Sequence, residues 1–189
     1  FRLKCCDSEP TTWTADNEFF WKHTIEGRSV PMDAEEQIDG LFEKGKYDEA
    51  EAVIRLIHEA FGPYPDGHNY LGLIAQERGN MEEAVEHFRK TVELGLKRFP
   101  KRVAKRAFKD DVETRPYQRG VMNLASALNQ IGQYEEALRM LDRLDRQCGD
   151  AFTADSYRAD IALNTGQWDE ALKRASRYCS VDPSQSLPS

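Results

Sequence analysis

NYLGLIAQERGNMEEAVEHF, residues Asn69–Phe88, decides the fold of this chain. It reads as a helix, a tight turn at Gly79 and a second helix, and the pattern around the turn recurs. The copies are Gly45-Lys46-Tyr47-Asp48-Glu49-Ala50, Gly79-Asn80-Met81-Glu82-Glu83-Ala84, Gly132-Gln133-Tyr134-Glu135-Glu136-Ala137 and Gly166-Gln167-Trp168-Asp169-Glu170-Ala171. Their alanines stand 34, 53 and 34 residues apart, so one gap exceeds the period by 19 residues. A fixed period of this size marks a stack of supersecondary units.

Each repeated position has a physical task. The Gly ends the first helix where the chain must turn through positive φ, which costs a residue without Cβ nothing. The large residue two places on (Tyr47, Met81, Tyr134, Trp168) opens the second helix and covers the turn. The Ala sits where two helices approach closely and a larger side chain would wedge them apart. Upstream, Gly72, Ala125 and Ala159 are the matching small residues, and Phe88 and Leu141 supply bulk for the next interface. The paired acids Glu82-Glu83, Glu135-Glu136 and Asp169-Glu170 are favourable charges in the first turn of each second helix rather than a catalytic series.

These offsets resemble the tetratricopeptide repeat over about residues 31–183. The first copy departs most, with Ile38 at the small position and Gln37 where Leu is usual. The resemblance implies an all-α, right-handed α-solenoid of about four helix-turn-helix repeats. Residues 1–30 form an N-terminal arm, the array spans 31–183 and 184–189 are a tail. The repeats fall at about 31–64, 65–98, 118–151 and 152–185, with a basic insertion at about 99–117. The arm, with Phe19-Phe20-Trp21 after a capping Asp16, either covers the first repeat or occupies the binding groove as an internal ligand. Pro183 is expected to stop the last helix.

Net charge is −7, but residues 97–109 hold seven Lys or Arg and no acid, which leaves −14 on the rest. Lys97, Lys101, Lys105 and Lys109 form one i,i+4 row, Arg98, Arg102 and Arg106 a second, and Phe99, Val103 and Ala107 an apolar third. The pattern predicts a basic amphipathic helix within 97–109 whose cations face outward or toward an anionic partner. It is either a lengthened second helix of the second repeat or a separate helix from about Pro100 to Lys109 returning through Asp110-Asp111. It is expected to loop out and leave the stack unbroken. The acidic remainder disfavours nucleic acid.

Nothing in the sequence calls for a metal or a cofactor. The four histidines and the four cysteines (Cys5, Cys6, Cys148, Cys179) show no zinc-ligand spacing and no CxxC. No nucleophile–base motif and no Gly-rich phosphate loop is present. The chain therefore reads as non-enzymatic. No run of 18 apolar residues predicts a membrane span. Scattered cysteines fit a reducing cytoplasm. A start at Phe1 is expected of a fragment or processed product, which would allow the chain to be the scaffold part of a larger enzyme or sensor, and residues 1–30 lack a secretory signal pattern.

By the resemblance, the first helix of each pair lines a concave groove that takes an extended peptide. The residues expected there are Glu35, Glu36, Asp39 and Phe42; Asn69, Tyr70, Leu73 and Glu77; Arg119, Met122, Asn123, Ser126 and Asn129; and Ser156, Tyr157 and Asp160. Asn can both donate to and accept from a peptide backbone. Some members of the family hold the C-terminal carboxylates of heat-shock chaperones with Lys, Arg and Asn. Here Glu35 and Asp39 stand where a cation and an Asn are wanted, and only Arg119 and Asn123 suit that role. The implied function is a protein- or peptide-binding adaptor, and such an array can also self-associate.

Overall fold

The computed structural model describes residues 32–99, 105–110 and 114–179, and within them all side chains but those of Met32, Asp33, Arg106, Ala107, Asp110, Arg177, Tyr178 and Cys179. The arm, Pro183 and the tail lie outside these residues. The described residues form helices and no strand: α1 (Met32–Glu43), α2 (Tyr47–Phe61), α3 (Pro65–Glu77), α4 (Met81–Arg98), α5 (Lys105–Asp110), α6 (Arg115–Gln130), α7 (Tyr134–Arg146), α8 (Ala151–Asn164) and α9 (Trp168–Cys179). Four pairs, α1/α2, α3/α4, α6/α7 and α8/α9, are the four repeats.

The turn within each pair is the same device four times. Gly45, Gly79, Gly132 and Gly166 take φ of 68°, 79°, 76° and 73°. The residue after each returns its N–H to a carbonyl five residues back, as in Asn80 to Ala75 and Gln133 to Leu128, both at 2.8 Å. That is the hydrogen-bond pattern by which a glycine in the left-handed region closes a helix. Tyr47, Met81, Tyr134 and Trp168 then open α2, α4, α7 and α9. The next pair starts on proline in two cases, with Pro65 and Pro116 in the first turns of α3 and α6, where a missing N–H is no loss.

Close approach is set by the small residues. Ala50, Ala84 and Ala137 are fully buried and Ala171 nearly so. A Cβ on Gly72 would stand 2.5 Å from the Phe88 ring. Full burial of that ring contributes about 1.5–3 kcal/mol, which only a bare α3 backbone makes available. Two contacts not evident from the repeat pattern join α6 to α4. A Cβ on Gly95 would meet Tyr117 at 2.9 Å, and one on Gly120 would meet Thr91 at 2.5 Å. Thr91 is buried and bonds the carbonyls of Pro65 and His87. The stack thus runs from α4 straight into α6.

The insertion does not lengthen α4, and a separate short helix, α5, follows within it. α4 ends at Arg98, and Phe99 is extended at φ −83° and ψ 144°. Phe99 precedes Pro100, and a residue before proline is driven from the α region. The rows of cations predicted to run from 97 to 109 therefore break after Arg98. α5 is instead fastened to the start of α6. Phe108 is buried and meets Phe99 edge-on at 5.6 Å between centroids, and Phe99 meets Tyr117 at 5.1 Å. Gln118 donates to the Phe108 carbonyl at 2.7 Å. Among the described residues the apolar contact is made by Phe99 and Phe108; Val103 and the Ala107 side chain lie outside them.

Ion pairs join the repeats away from the apolar core. Arg78 of α3 reaches Asp48 and Glu51 of α2, Arg89 of α4 reaches Glu136 of α7, and Arg158 of α8 holds Asp142, Asp145 and Asp155 at 2.6, 3.1 and 3.2 Å. The Arg158 side chain is only 12% exposed, so removing one of its carboxylates costs more than an exposed pair would.

The apolar core has two parts. One joins α1, α2, Tyr64 and Ile74, and the other runs from Ala75 to Ile161. Histidines stack beside the seam between the first two repeats. His58 of α2 lies over His68 of α3 at 4.9 Å between centroids, and His68 Nδ1 meets His87 Nδ1 of α4 at 3.1 Å. Burial, then the neighbouring His58 and His87, lowers His68 from 6.5 to about 4. Burial also lowers His58 and His87. The trio packs as neutral rings.

Two predictions follow from this packing. Gly120→Ala should destabilise by about 1–3 kcal/mol through overpacking on Thr91, more than the ~1 kcal/mol of helix propensity it gains. Gly40→Ala lies in α1, where a Cβ meets nothing within 4 Å, and should stabilise by about 0.5–1 kcal/mol. Urea midpoints moving the same way for both would contradict the close approach. The second concerns acid. A histidine whose folded pKa is depressed binds fewer protons folded than unfolded. Its contribution is full above 6.5 and is lost as pH falls from 6.5 through about 4. His68→Gln should lose less stability than the parent across that window, with titrations common to both cancelling in the difference. Parallel stability–pH curves would show that the ring carries no such load.

Candidate functional site

The first helices α1, α3, α6 and α8 present the surface where the sequence places a ligand, and polar bonds link each to its neighbour. Tyr70 of α3 donates to Asp39 of α1. Arg119 of α6 pairs with Asp66 of α3 at 2.5 Å, and Asn123 donates to Asn69 at 2.9 Å. Asn164 of α8 donates to Asn129 of α6 at 3.1 Å. These bonds continue across the position of the insertion, because α6 packs directly beside α3.

The expected ligand residues divide by exposure. Asn69 is buried at 4%, so it holds Asn123 in place and offers no open contact of its own. Glu36, Asp39, Glu77 and Asp160 are exposed, and half of the Arg119 side chain is free of cover. Glu35, Phe42, Tyr70, Leu73, Met122, Asn123, Ser126, Asn129, Ser156 and Tyr157 are partly buried. Phe42 lies against Tyr70 at 6.1 Å between centroids, and Glu77 accepts from Tyr47 at 3.3 Å. Leu73 and Tyr157 also pack on the larger core.

One end of this surface is charged in both senses. Burial and then Asp66 push the Glu35 carboxyl up to about 7, against the pull of Arg119 and Arg98. Burial makes Arg98 less basic, while Asp66 and Glu35 oppose that shift. Arg98 is thus turned toward α1 and α3, and its expected place in an outward basic row is corrected. Asp66, which follows Pro65 in the first turn of α3, is not part of the repeat pattern.

Of the expected basic patch, Lys97 is exposed and bonds Glu93 at 2.6 Å, and Lys105 and Lys109 are exposed on α5. Lys101, Arg102 and the Arg106 side chain lie outside the described residues. Lys105 lies beside Gly149, at the turn between α7 and α8.

Among the described residues no group of three His, Cys, Asp or Glu side chains could hold a metal ion. Burial pushes the Cys148 thiol up to about 12, which removes it as a nucleophile at neutral pH. No helix among the described residues is long and apolar enough to cross a membrane. What the surface supplies is fixed donors, acceptors and partly covered apolar side chains, the chemistry of recognition.

No curated protein matches the sequence. Among solved structures, the chain is similar to pilF of Pseudomonas aeruginosa at 14% identity, over 75% of this chain and 72% of that one, with a TM-score of 0.36. It is similar to MamA of AMB-1 at 14% identity, over 82% and 92%, with a TM-score of 0.32. A family model described as tetratricopeptide repeat matches residues 36–100 and 122–186. Those two stretches flank the insertion and take in most of all four helix pairs, and the chain belongs to the tetratricopeptide repeat family.

Proposed function

We propose that the chain is a non-enzymatic adaptor that holds an extended segment of a protein partner on the face formed by α1, α3, α6 and α8. The observation that carries this reading is the run of bonded pairs along that face: Asp39 with Tyr70, Asp66 with Arg119, Asn69 with Asn123, and Asn129 with Asn164. Each pair fixes side chains that would otherwise lose rotamer freedom on binding, so the ordering cost is met in the free protein. Arg119 has five N–H donors and spends only part of them on Asp66, and Asn123 and Asn129 keep groups for a backbone lying across them. Leu73, Met122 and Tyr157 add partly exposed apolar area between the polar points.

The basic insertion supports a second reading less well. Lys97, Lys105 and Lys109 are exposed. However, α4 ends before Pro100 and Arg98 turns inward, so the cations do not form one stripe along a single helix. The body around them is acidic.

Ser126→Arg tests the first reading. Ser126 stands on α6 between Asn123 and Asn129, and its replacement leaves every bonded pair on the face intact. A long cation at this partly buried position should abolish capture of partner proteins from a lysate. The thermal midpoint should fall by no more than a few degrees, the shift that about 1 kcal/mol produces in a chain of this size. Captured complexes should also persist as salt is raised, whereas phosphate binding through the insertion would weaken steeply. Undiminished capture by the variant would place binding elsewhere, and steep salt dependence would favour the insertion.

A further inference from the structure

The outer face of the last pair is apolar and uncovered. Trp168, Leu172 and Leu163 are 68%, 71% and 47% exposed, and with Ala159, Ala171 and Ala175 they line a groove of about 380 Å³ between α8 and α9. The repeat itself says what such a groove is built to take. One period earlier the same positions are Tyr134, Leu138, Asn129, Ala125, Ala137 and Leu141. There α8 fills the space: Leu141 is fully buried, and Tyr157 and Ile161 pack into the core around it. The end groove is therefore the continuation of the interface that holds the repeats together. It is also no better suited to water than its predecessor, since Leu163 replaces Asn129.

Head-to-tail stacking of chains does not fill it. The filling helices carry Tyr70 and Ile74 in α3, Asn123 and Ala127 in α6, and Tyr157 and Ile161 in α8, whereas the matching positions of α1 are Glu36 and Gly40. Glu36 is exposed, and a Cβ at Gly40 would meet nothing within 4 Å. Among the described residues, α1 offers such a groove a charged side chain and a bare glycine at these positions, and neither an aromatic nor a branched side chain.

The face is complementary to itself. Along α9 the order is Trp168, acidic Asp169 and Glu170, then Leu172, basic Lys173 and Arg174, then Ala175. A two-fold axis near Leu172 reverses α9 against its mate. Trp168 then lies over the small Ala175 of the second copy, the two Leu172 side chains meet near the axis, and exposed Asp169 faces exposed Lys173 of the second copy. Lys173 is held only loosely in its own chain, 3.6 Å from Glu170. Large meets small and acid meets base twice, which is what an isologous interface requires.

We propose that the outer face of α8 and α9 is the interface of a two-fold dimer of this chain, closed by Trp168, Leu172 and the reciprocal Asp169–Lys173 contact. Ser156 and Asp160 also line this groove, so the dimer covers the α8 end of the first-helix face and leaves α1, α3 and α6 to a partner.

Sedimentation velocity of the full chain over a concentration series tests this. The parent should shift from monomer to dimer and no further. Trp168→Ser with Leu172→Lys should stay monomeric while circular dichroism and melting remain those of the parent monomer. Asp169→Lys should weaken the dimer about tenfold, because the contact is made twice, and Asp169→Lys with Lys173→Asp should restore it. A parent that is monomeric throughout, as a face covered by residues 180–189 or reserved for another protein would give, overturns the proposal. So does a Trp168→Ser, Leu172→Lys variant that dimerises like the parent, or a double charge exchange that fails to restore association.

Discussion

Phe88 occupies the space that a side chain at position 72 would need. That substitution of ring for Cβ, with the tight contacts of Gly95 on Tyr117 and Gly120 on Thr91, seats side chains of α4 and α6 directly on the bare backbone of α3, α4 and α6. The rest of the architecture depends on it. With α3, α4 and α6 so close, Asn123 reaches Asn69 and Arg119 reaches Asp66, bonds that a wider separation would leave unmade. A buried amide or guanidinium without a partner costs about 1–3 kcal/mol or more. Apolar packing and polar satisfaction are thus two consequences of one distance.

The period of the fold was legible because its punctuation is glycine. Gly45, Gly79, Gly132 and Gly166 do the same work at the same offset, and an L-residue with a side chain could not do it cheaply. Helix ends followed from those glycines to within a residue or two. The insertion was legible only in outline. Its i,i+4 rows are real in the sequence, but Pro100 forbids the continuity that would make them one face, and a wheel drawn through a proline says nothing of where the second half points. Gly95 and Gly120 were missed for another reason. They lie outside the repeated offsets, at a junction between pairs that occurs once in this form.

The candidate site was legible as a set of helices and less so as chemistry. The repeat offsets put Tyr70, Arg119, Asn123 and Asn129 on one surface, and the structure links them through bonds between neighbouring repeats. What one sequence position cannot reveal is its partner. Asn69 reads as a ligand contact but is buried holding Asn123, and Asp66, to which no local pattern gives a role, holds Arg119 and helps to raise Glu35 toward 7. Arg98 reads as one cation of seven, yet its neighbours are two carboxylates brought near by the fold. Electrostatic roles of this kind depend on residues 30 to 60 positions away, beyond the reach of any local pattern.

The central claim is that the stack runs unbroken from α4 to α6 although the sequence period does not. Native-state hydrogen exchange tests it most directly. If the two helices are one cooperative unit, amides in the middle of α4, around Thr91 and Val92, and of α6, around Val121 and Leu124, should open with the same free energy and respond alike to denaturant. Amides of the short α5 should exchange sooner. Distinct opening energies for α4 and α6, with the two halves of the chain melting in separate transitions, would contradict the account.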